Sequence, residues 1–271
     1  HTNQYELADW VKVNVKFPSC MVDRITPRTT DTLRQEIEDL FPGYGRTAIQ
    51  TEEYTQWVIE DSFASEFPDL TKVGVVITND VEPYEETKIR ILNGGHTSLA
   101  YLGALSGYST FDQVMNDETH RKHFRRLQED EIAPSIDSDL PFDIYEYIDT
   151  VEKRFSSATN LDDLDRICMD GFTKFHTFVV PSLRKCLEQG KRPIHIYKSI
   201  VAWYIYSRKF AKGCNRIRYN EPNWILLEPL LRDGAIDMFT SNERLWGDIP
   251  KKYISFSRDL KTIILSQTYE K

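Results

Sequence analysis

Lys88, Asn93 and His96 stand at i, i+5 and i+8 in the string KIRILNGGH and the residues that follow it. At 100 degrees per residue they spread over about 140 degrees of an α-helix, so they could face one pocket. Their neighbours Ile89, Ile91, Leu92, Leu99 and Ala100 are apolar, which places three polar side chains in a segment built for burial. Burial disfavours the charged form of a lysine and nearby cations disfavour it further, as a general base working near neutral pH requires. Each residue also has an ordinary reading. Lysines on half-buried helices extend to solvent, an asparagine before glycine ends a helix, and a single histidine is commonly a satisfied core residue. Taken one at a time, the ordinary readings are favoured.

The elements around this string are mostly helical. Glu6 to Asn14 reads as an amphipathic helix, and the apolar run Val15 to Val22 ends at the turn Thr26-Pro27. Thr30-Asp31 can cap a helix that runs to Leu40 and stops at Pro42-Gly43. β-branched runs at Thr55 to Ile59 and Val73 to Thr78 predict strands. From Pro83 the chain is expected to be helical: Pro83 to Gly107 with a possible break at Gly94-Gly95, then Glu118 to Glu131, Phe142 to Phe155, Val179 to Gln189, Ile194 to Phe210 and Asp248 to Ser266. The expected boundary lies near Pro27, with a short α/β piece before it.

The chain has 271 residues, 40% hydrophobic and 28% charged, which is ordinary for a folded globular protein. Net charge is minus 8, which argues against nucleic acid as a partner. Arg184 to Arg218 nevertheless carries ten Lys or Arg against the single acid Glu188, plus 9, leaving minus 17 for the remainder. That segment is either a solvated helix face, the favoured reading, or a cationic wall for a phosphate or carboxylate. No apolar run long enough for a membrane span and no signal peptide are read, so a cytoplasmic chain is expected. Cys20, Cys168, Cys186 and Cys214 form no CxxC pair and are expected to be buried free thiols, without disulfides or a metal.

Other motifs are weaker. Gly43-Tyr44-Gly45-Arg46-Thr47-Ala48 matches the dinucleotide fingerprint GxGxxA, but it follows a helical string instead of a strand, so a nucleotide site is not expected there. His120 and His123 are spaced like metal ligands, yet they sit among charges and without a third ligand nearby, so a solvated face is expected.

KIRILNGGH closely resembles the active-site segment of the polyol-specific long-chain dehydrogenases, the family of mannitol dehydrogenase and the fructuronate and tagaturonate reductases. Further strings agree in order and spacing: FPSCMVDRITP, TQWVIEDSF, DVEPYEETK and RICMDGFTK. The similarity runs from the start of the chain to at least VAWYIYSRKF. The resemblance implies that Lys88 is the general acid/base of a hydride transfer to NAD or NADP and that no metal takes part. It implies that Asn93 donates to the oxygen that gains charge, that His96 holds or orients a hydroxyl, and that Glu85 passes protons between Lys88 and solvent. Asp23, Arg166 and Lys174 would bind substrate hydroxyls, with Asp23 as a turn cap the competing reading. Cys20 and the string Lys174-Phe175-His176 depart from common family forms, which leaves the pocket's local shape open.

The resemblance implies a mainly α (α+β) chain: residues 1–27 as the tail of a Rossmann domain whose remainder is absent, and residues 28–271 as a helical substrate-binding and catalytic domain. The expected activity interconverts a polyol and a keto-sugar of the mannitol/fructose type. Alternatives are hexuronate or aldonate chemistry, towards which HTSLAYLGALSGY leans slightly, and a catalytically silent helical binding module. The expected partner is a small-molecule polyol or keto-sugar, with no nucleic acid or membrane, and a monomer is favoured. The residues that hold the cofactor are not identified.

Overall fold

The β-branched strings pair into one small sheet, and the chain after it is helical. The computed structural model describes residues 5–137, 139–157, 162–214 and 218–269. Strand β1 (Cys20–Asp23) lies antiparallel to β2 (Gln56–Glu60), which lies parallel to β3 (Val76–Thr78). Thr30 Oγ1 accepts from the Leu33 amide at 3.1 Å and opens the helix Asp31–Leu40, as the Thr-Asp pair predicts.

β1 precedes residue 27 and its partners follow it, so the expected division at residue 27 runs through a sheet. Ile25 N–H donates to Glu52 Oε1 at 2.5 Å, and Arg24 Nε donates to the Glu52 carbonyl at 3.0 Å. The Thr26-Pro27 turn therefore redirects the chain without ending a unit. Met21, Val58 and Val81 form a small core against which Val76 and Tyr84 lean. Val81 and Tyr84 belong to the start of the helix Glu82–Thr87, so the sheet fixes where the Lys88 helix begins.

That helix continues as a π-helical turn, Lys88–Gly94, and then as α-helix, Gly95–Leu105. The Gly94-Gly95 pair does not break it: both residues hold helical backbone, with φ of −64° and −61°. Glycine is needed there for closeness. A Cβ on Gly95 would lie 2.4 Å from Gln128 Nε2, and one on Gly94 would lie 3.0 Å from the Phe178 carbonyl oxygen. Gln128 and Phe178 stand on two further π-helical segments, Leu127–Ile132 and Phe175–Val179, which both pack on Lys88–Gly94.

The helix Ile194–Ala211, predicted to end one residue earlier, runs through the middle of the core with Ile196, Tyr197, Ile200, Val201, Trp203 and Tyr204 buried. It packs on Gly95–Leu105. The last predicted helix is two, Ile249–Lys252 and Ile254–Tyr269, interrupted where Tyr253 leaves helical backbone. The basic segment is dispersed into ion pairs: Arg184 with Asp248, Lys185 with Asp137, Arg192 with Asp259, and Arg208 and Lys212 with Asp233. Arg216 lies outside the described residues. Cys168 and Cys186 are buried, but Cys20 is exposed because β1 turns it to the open face of the sheet. No helix among the described residues is long and apolar enough to cross a membrane.

Candidate active site

The π turn changes the geometry read from the sequence. Five residues of α-helix would carry Asn93 about 140 degrees round from Lys88. A π-helix closes its hydrogen bonds from i to i+5, so it carries residue i+5 less far round the axis from residue i than an α-helix does. Lys88 and Asn93 are both half-buried, and Asn93 Oδ1 is buried without a hydrogen-bond partner. Glu85 is exposed, one turn before Lys88 on the same helix.

His96 follows in the first turn of the α-helix. Its side chain is 17% exposed and lies edge-on to Phe111, ring centroids 4.3 Å apart, and stacked on Phe155 at 5.1 Å. Burial pushes its pKa down to about 3, and the charges of Arg166 and Lys174 push in the same direction. Near neutral pH it is a neutral imidazole with one donor and one acceptor nitrogen. Its Nε2 is 3.7 Å from Asp162 Oδ2, too far for a hydrogen bond.

Asp162 is buried and engages Arg166, which donates from Nε at 2.8 Å. Arg166 lies on the short helix Leu164–Ile167, opened by the Asp163 side chain accepting from Asp165 N–H. Lys174 ends the helix Gly171–Lys174, and its Nζ donates to the Ile167 carbonyl at 2.8 Å. Burial lowers the Lys174 pKa, and Arg166 adds to the effect. The Asp-Gly pair ahead of it has two causes. Asp170 takes a left-handed backbone, φ 54°, and a Cβ on Gly171 would lie 2.4 Å from Trp203 Nε1 and 2.5 Å from the Tyr101 hydroxyl.

Asp23 is 2% exposed, and its carboxylate is gripped by Arg154 on the helix Ile144–Phe155: Nη1 donates to Oδ2 at 2.7 Å and Nη2 to Oδ1 at 2.9 Å. The same guanidinium donates to Glu52 from Nη2 at 2.7 Å and from Nε at 3.0 Å, and the Tyr147 hydroxyl donates to Asp23 at 3.2 Å. Burial and the Asp23 charge keep the Tyr147 hydroxyl protonated well above its ordinary range. Arg154, His96, Ile25, Phe111, Phe155 and Asp162 line a cavity of about 10 Å³, room for one water.

The structure thus brings His96 near Arg166 and Lys174, and Asp23 adjoins His96 through Arg154, which lines the same small cavity; Glu85, Lys88 and Asn93 lie on the stretch of helix that leads into His96. Sequence reading missed Arg154, Glu52, Asp162 and Gln128. Two of these left a trace. Tyr147, Ile148, Val151, Arg154 and Phe155 are the buried residues of their helix, so Arg154 occupies a core position of an apolar stripe. Gln128 does the same among Phe124, Leu127 and Ile132. His123, expected on a solvated face, is instead half-buried against His195, Nδ1 to Nδ1 3.3 Å.

The string Gly43–Ala48 offers no phosphate cradle. Glu38 accepts from the Gly43 amide at 2.8 Å and from the Gly45 amide at 3.0 Å, so its carboxylate occupies the N–H groups an anion would need.

The chain is similar to known proteins in sequence and in fold. The chain is 31% identical over 267 residues to mannitol 2-dehydrogenase of Pyrenophora tritici-repentis, covering 97% of this chain and 47% of that protein. It is 37% identical over 235 residues to mannitol dehydrogenase 2 of Saccharomyces cerevisiae, covering 85% and 45%. The Pseudomonas fluorescens mannitol 2-dehydrogenase, solved as a ternary complex with NAD and D-mannitol, superposes with a TM-score of 0.81 at 32% identity, over 97% of this chain and 54% of that one. A D-sorbitol dehydrogenase solved in substrate-free form superposes with a TM-score of 0.85 at 26% identity, over 96% and 54%. The chain spans about half the length of the curated relatives it matches. Residues 2–72 match the mannitol dehydrogenase Rossmann domain and residues 80–260 the mannitol dehydrogenase C-terminal domain, and the chain belongs to that family.

Proposed function

We propose that this chain carries the substrate-handling and proton-transferring half of a NAD-dependent polyol dehydrogenase that interconverts a polyol of the mannitol type with its keto-sugar. The observation that supports the reading is the half-buried π turn that bears Lys88 and Asn93, with Asn93 Oδ1 left without a partner, leading directly into a neutral His96. In this role the Lys88 amine takes the proton of the reacting hydroxyl during oxidation and returns it during ketone reduction. The Asn93 amide donates to the same oxygen as charge develops on it. His96, neutral and held by two phenylalanine rings, orients a hydroxyl without adding charge. Glu85, exposed one turn earlier, relays protons to solvent.

Arg166 and Lys174 supply donors to further hydroxyls. A uronate substrate needs a cation for its carboxylate, and Arg166 is already neutralised by Asp162, which supports the polyol over the uronate reading. Asp23 is engaged by Arg154, Tyr147 and no other described side chain, so its contribution to the substrate runs through holding Arg154 beside the cavity next to His96.

The nicotinamide dinucleotide, when bound, supplies the hydride acceptor. Among the described residues the one glycine-rich string does not fit it, since Glu38 fills the place of the phosphate. This chain is therefore assigned the proton and the substrate. The domain division consistent with the sheet lies between residues 72 and 80, after the three strands have formed, with the earlier part a small portion of a Rossmann domain.

In the full-length enzyme Lys88→Ala lowers mannitol oxidation by about 100-fold to 10,000-fold, the usual worth of general acid/base catalysis, and external amines restore part of it. A loss below tenfold would move the base elsewhere. Fructuronate reduction measured beside mannitol oxidation separates the two substrate classes. The chain by itself binds no dinucleotide, and micromolar NADH binding by calorimetry contradicts this half of the proposal.

A further inference from the structure

A neutral imidazole carries its proton on one of two nitrogens, and what faces each nitrogen decides which. The His96 ring is fixed by Phe111, edge-on with centroids 4.3 Å apart, and by Phe155, stacked at 5.1 Å. Phe111 N–H donates in turn to the Asp162 carbonyl at 3.0 Å, which ties that wall of the ring to Asp162. The Asp162 side chain is 5% exposed, and its Oδ2 faces His96 Nε2 across 3.7 Å. The gap is longer than a hydrogen bond, yet a carboxylate in a poorly solvated wall still acts on the ring across it. A lone pair on Nε2 would be repelled by that anion, whereas an N–H there is attracted. Arg154, the other charged group on the cavity that His96 and Asp162 share, has its donors taken up by Asp23 and Glu52. Arg166 balances the charge of Asp162, so the carboxylate directs the proton without charging the ring.

We infer that Asp162 is a positioning residue for the substrate: its carboxylate fixes the His96 proton on Nε2, which makes Nδ1 the nitrogen that accepts from a substrate hydroxyl, and the same carboxylate holds Arg166. The inference rests on the reading of His96 as a hydroxyl contact given above. One buried anion then sets the polarity of two substrate-handling side chains. His96 presents an acceptor and Arg166 presents donors, which suits hydroxyls that both give and take hydrogen bonds. Asparagine would break this arrangement in a definite way. Arg166 donates to Oδ1 from Nε and to both oxygens from Nη2, so in Asp162→Asn the guanidinium keeps the amide oxygen at the place of Oδ1. The amide NH2 then stands at the place of Oδ2, opposite Nε2. Facing a donor, Nε2 keeps its lone pair and the proton moves to Nδ1, where the ring no longer accepts.

Full-length enzyme carrying isotope-labelled histidine tests this by NMR, because the carbon resonance of Cδ2 separates the two neutral forms of the ring. His96→Asn identifies the His96 signal by removing it. Expected is the proton on Nε2 in the parent and on Nδ1 in D162N, with kcat/KM for mannitol lower in D162N by about 10- to 100-fold, the scale of one mismatched hydrogen bond. A merely structural loss would lower activity without moving the proton. A parent ring protonated on Nδ1 overturns the inference, and that measurement decides if D162N does not fold. A D162N ring that keeps the parent form overturns it as well, as does a moved proton beside an unchanged kcat/KM. The activity of H96N separates the two ideas. A fully active H96N enzyme removes the reading of His96 as a hydroxyl contact and this inference with it, whereas an impaired H96N enzyme beside an unmoved proton in D162N removes the inference alone.

Discussion

Replacing Arg154 by Met leaves two carboxylates, Asp23 at 2% and Glu52 at 5% exposure, with most of their partners gone. Four charge-assisted bonds of 2.7 to 3.0 Å disappear together. Among the bonds that stay are those from the Tyr147 hydroxyl to Asp23 and from the Ile25 amide to Glu52. Two uncompensated buried charges cost about 3–5 kcal/mol, a large part of an ordinary domain's stability of about 5–15 kcal/mol. Urea unfolding followed by tryptophan fluorescence at pH 8 reads this directly. The deficit against the parent should be about 3–5 kcal/mol. The triple variant D23N/E52Q/R154M should recover most of it. A deficit below about 1 kcal/mol, or one that the triple variant leaves unchanged, would refute the idea that Arg154 is what makes this burial tolerable.

The half-buried histidines make a pH-dependent prediction. His96 and His123 both have pKa values pushed down to about 3 by burial, so the unfolded chain takes up protons near pH 6.5 that the folded chain refuses. Their contribution is intact above pH 6.5 and is lost as pH falls towards 3, by at most about 5 kcal/mol each. The urea midpoint of His123→Leu should depend on acid less steeply than the parent's, and an unchanged slope contradicts the assignment. Glu131 opposes this trend. Burial raises its pKa to about 7, so its contribution is lost as pH rises from about 4.5 to 7. Glu131→Gln should remove that loss in the same titration. Gly171→Ala should lower the melting temperature by an amount matching about 1–3 kcal/mol, since its Cβ would meet Trp203, Tyr101 and Tyr219 within 2.8 Å. A melt equal to the parent's would mean that the backbone there can shift.

The long helices and the Thr30 cap were legible because their causes are local: apolar residues at helical spacing and a hydroxyl three residues before the amide it accepts from. The π turn was not, because nothing in KIRILNG itself disfavours ordinary helix. It packs on two other π-helical segments, Leu127–Ile132 and Phe175–Val179, which lie far from it in sequence. The expected division at residue 27 rests on the same kind of local signal. A proline turn is a local signal, whereas the pairing of β1 with β2 and the hold of Glu52 on Ile25 cross it from about 30 residues further on.

Polar residues on apolar stripes were the productive signal, and they sort by what happens to their hydrogen-bonding groups. Arg154 stands on such a stripe and has its donors taken up by Asp23 and Glu52, which makes it a tie between the sheet and the helices. Glu131 likewise accepts from the His195 and Ile196 amides at the start of the central helix. Asn93 stands on the same kind of stripe with its Oδ1 unpartnered, in the segment that also bears Lys88. Buried polar atoms are normally satisfied, so an open one is a reason to test the position against substrate. The distinction is invisible in sequence, where Arg154 and Asn93 are both polar residues among apolar ones. It requires partners 102 to 131 residues away for the first and none at Oδ1 for the second. The sequence pattern thus nominates positions, and the pairing found in the fold decides which of them hold the structure.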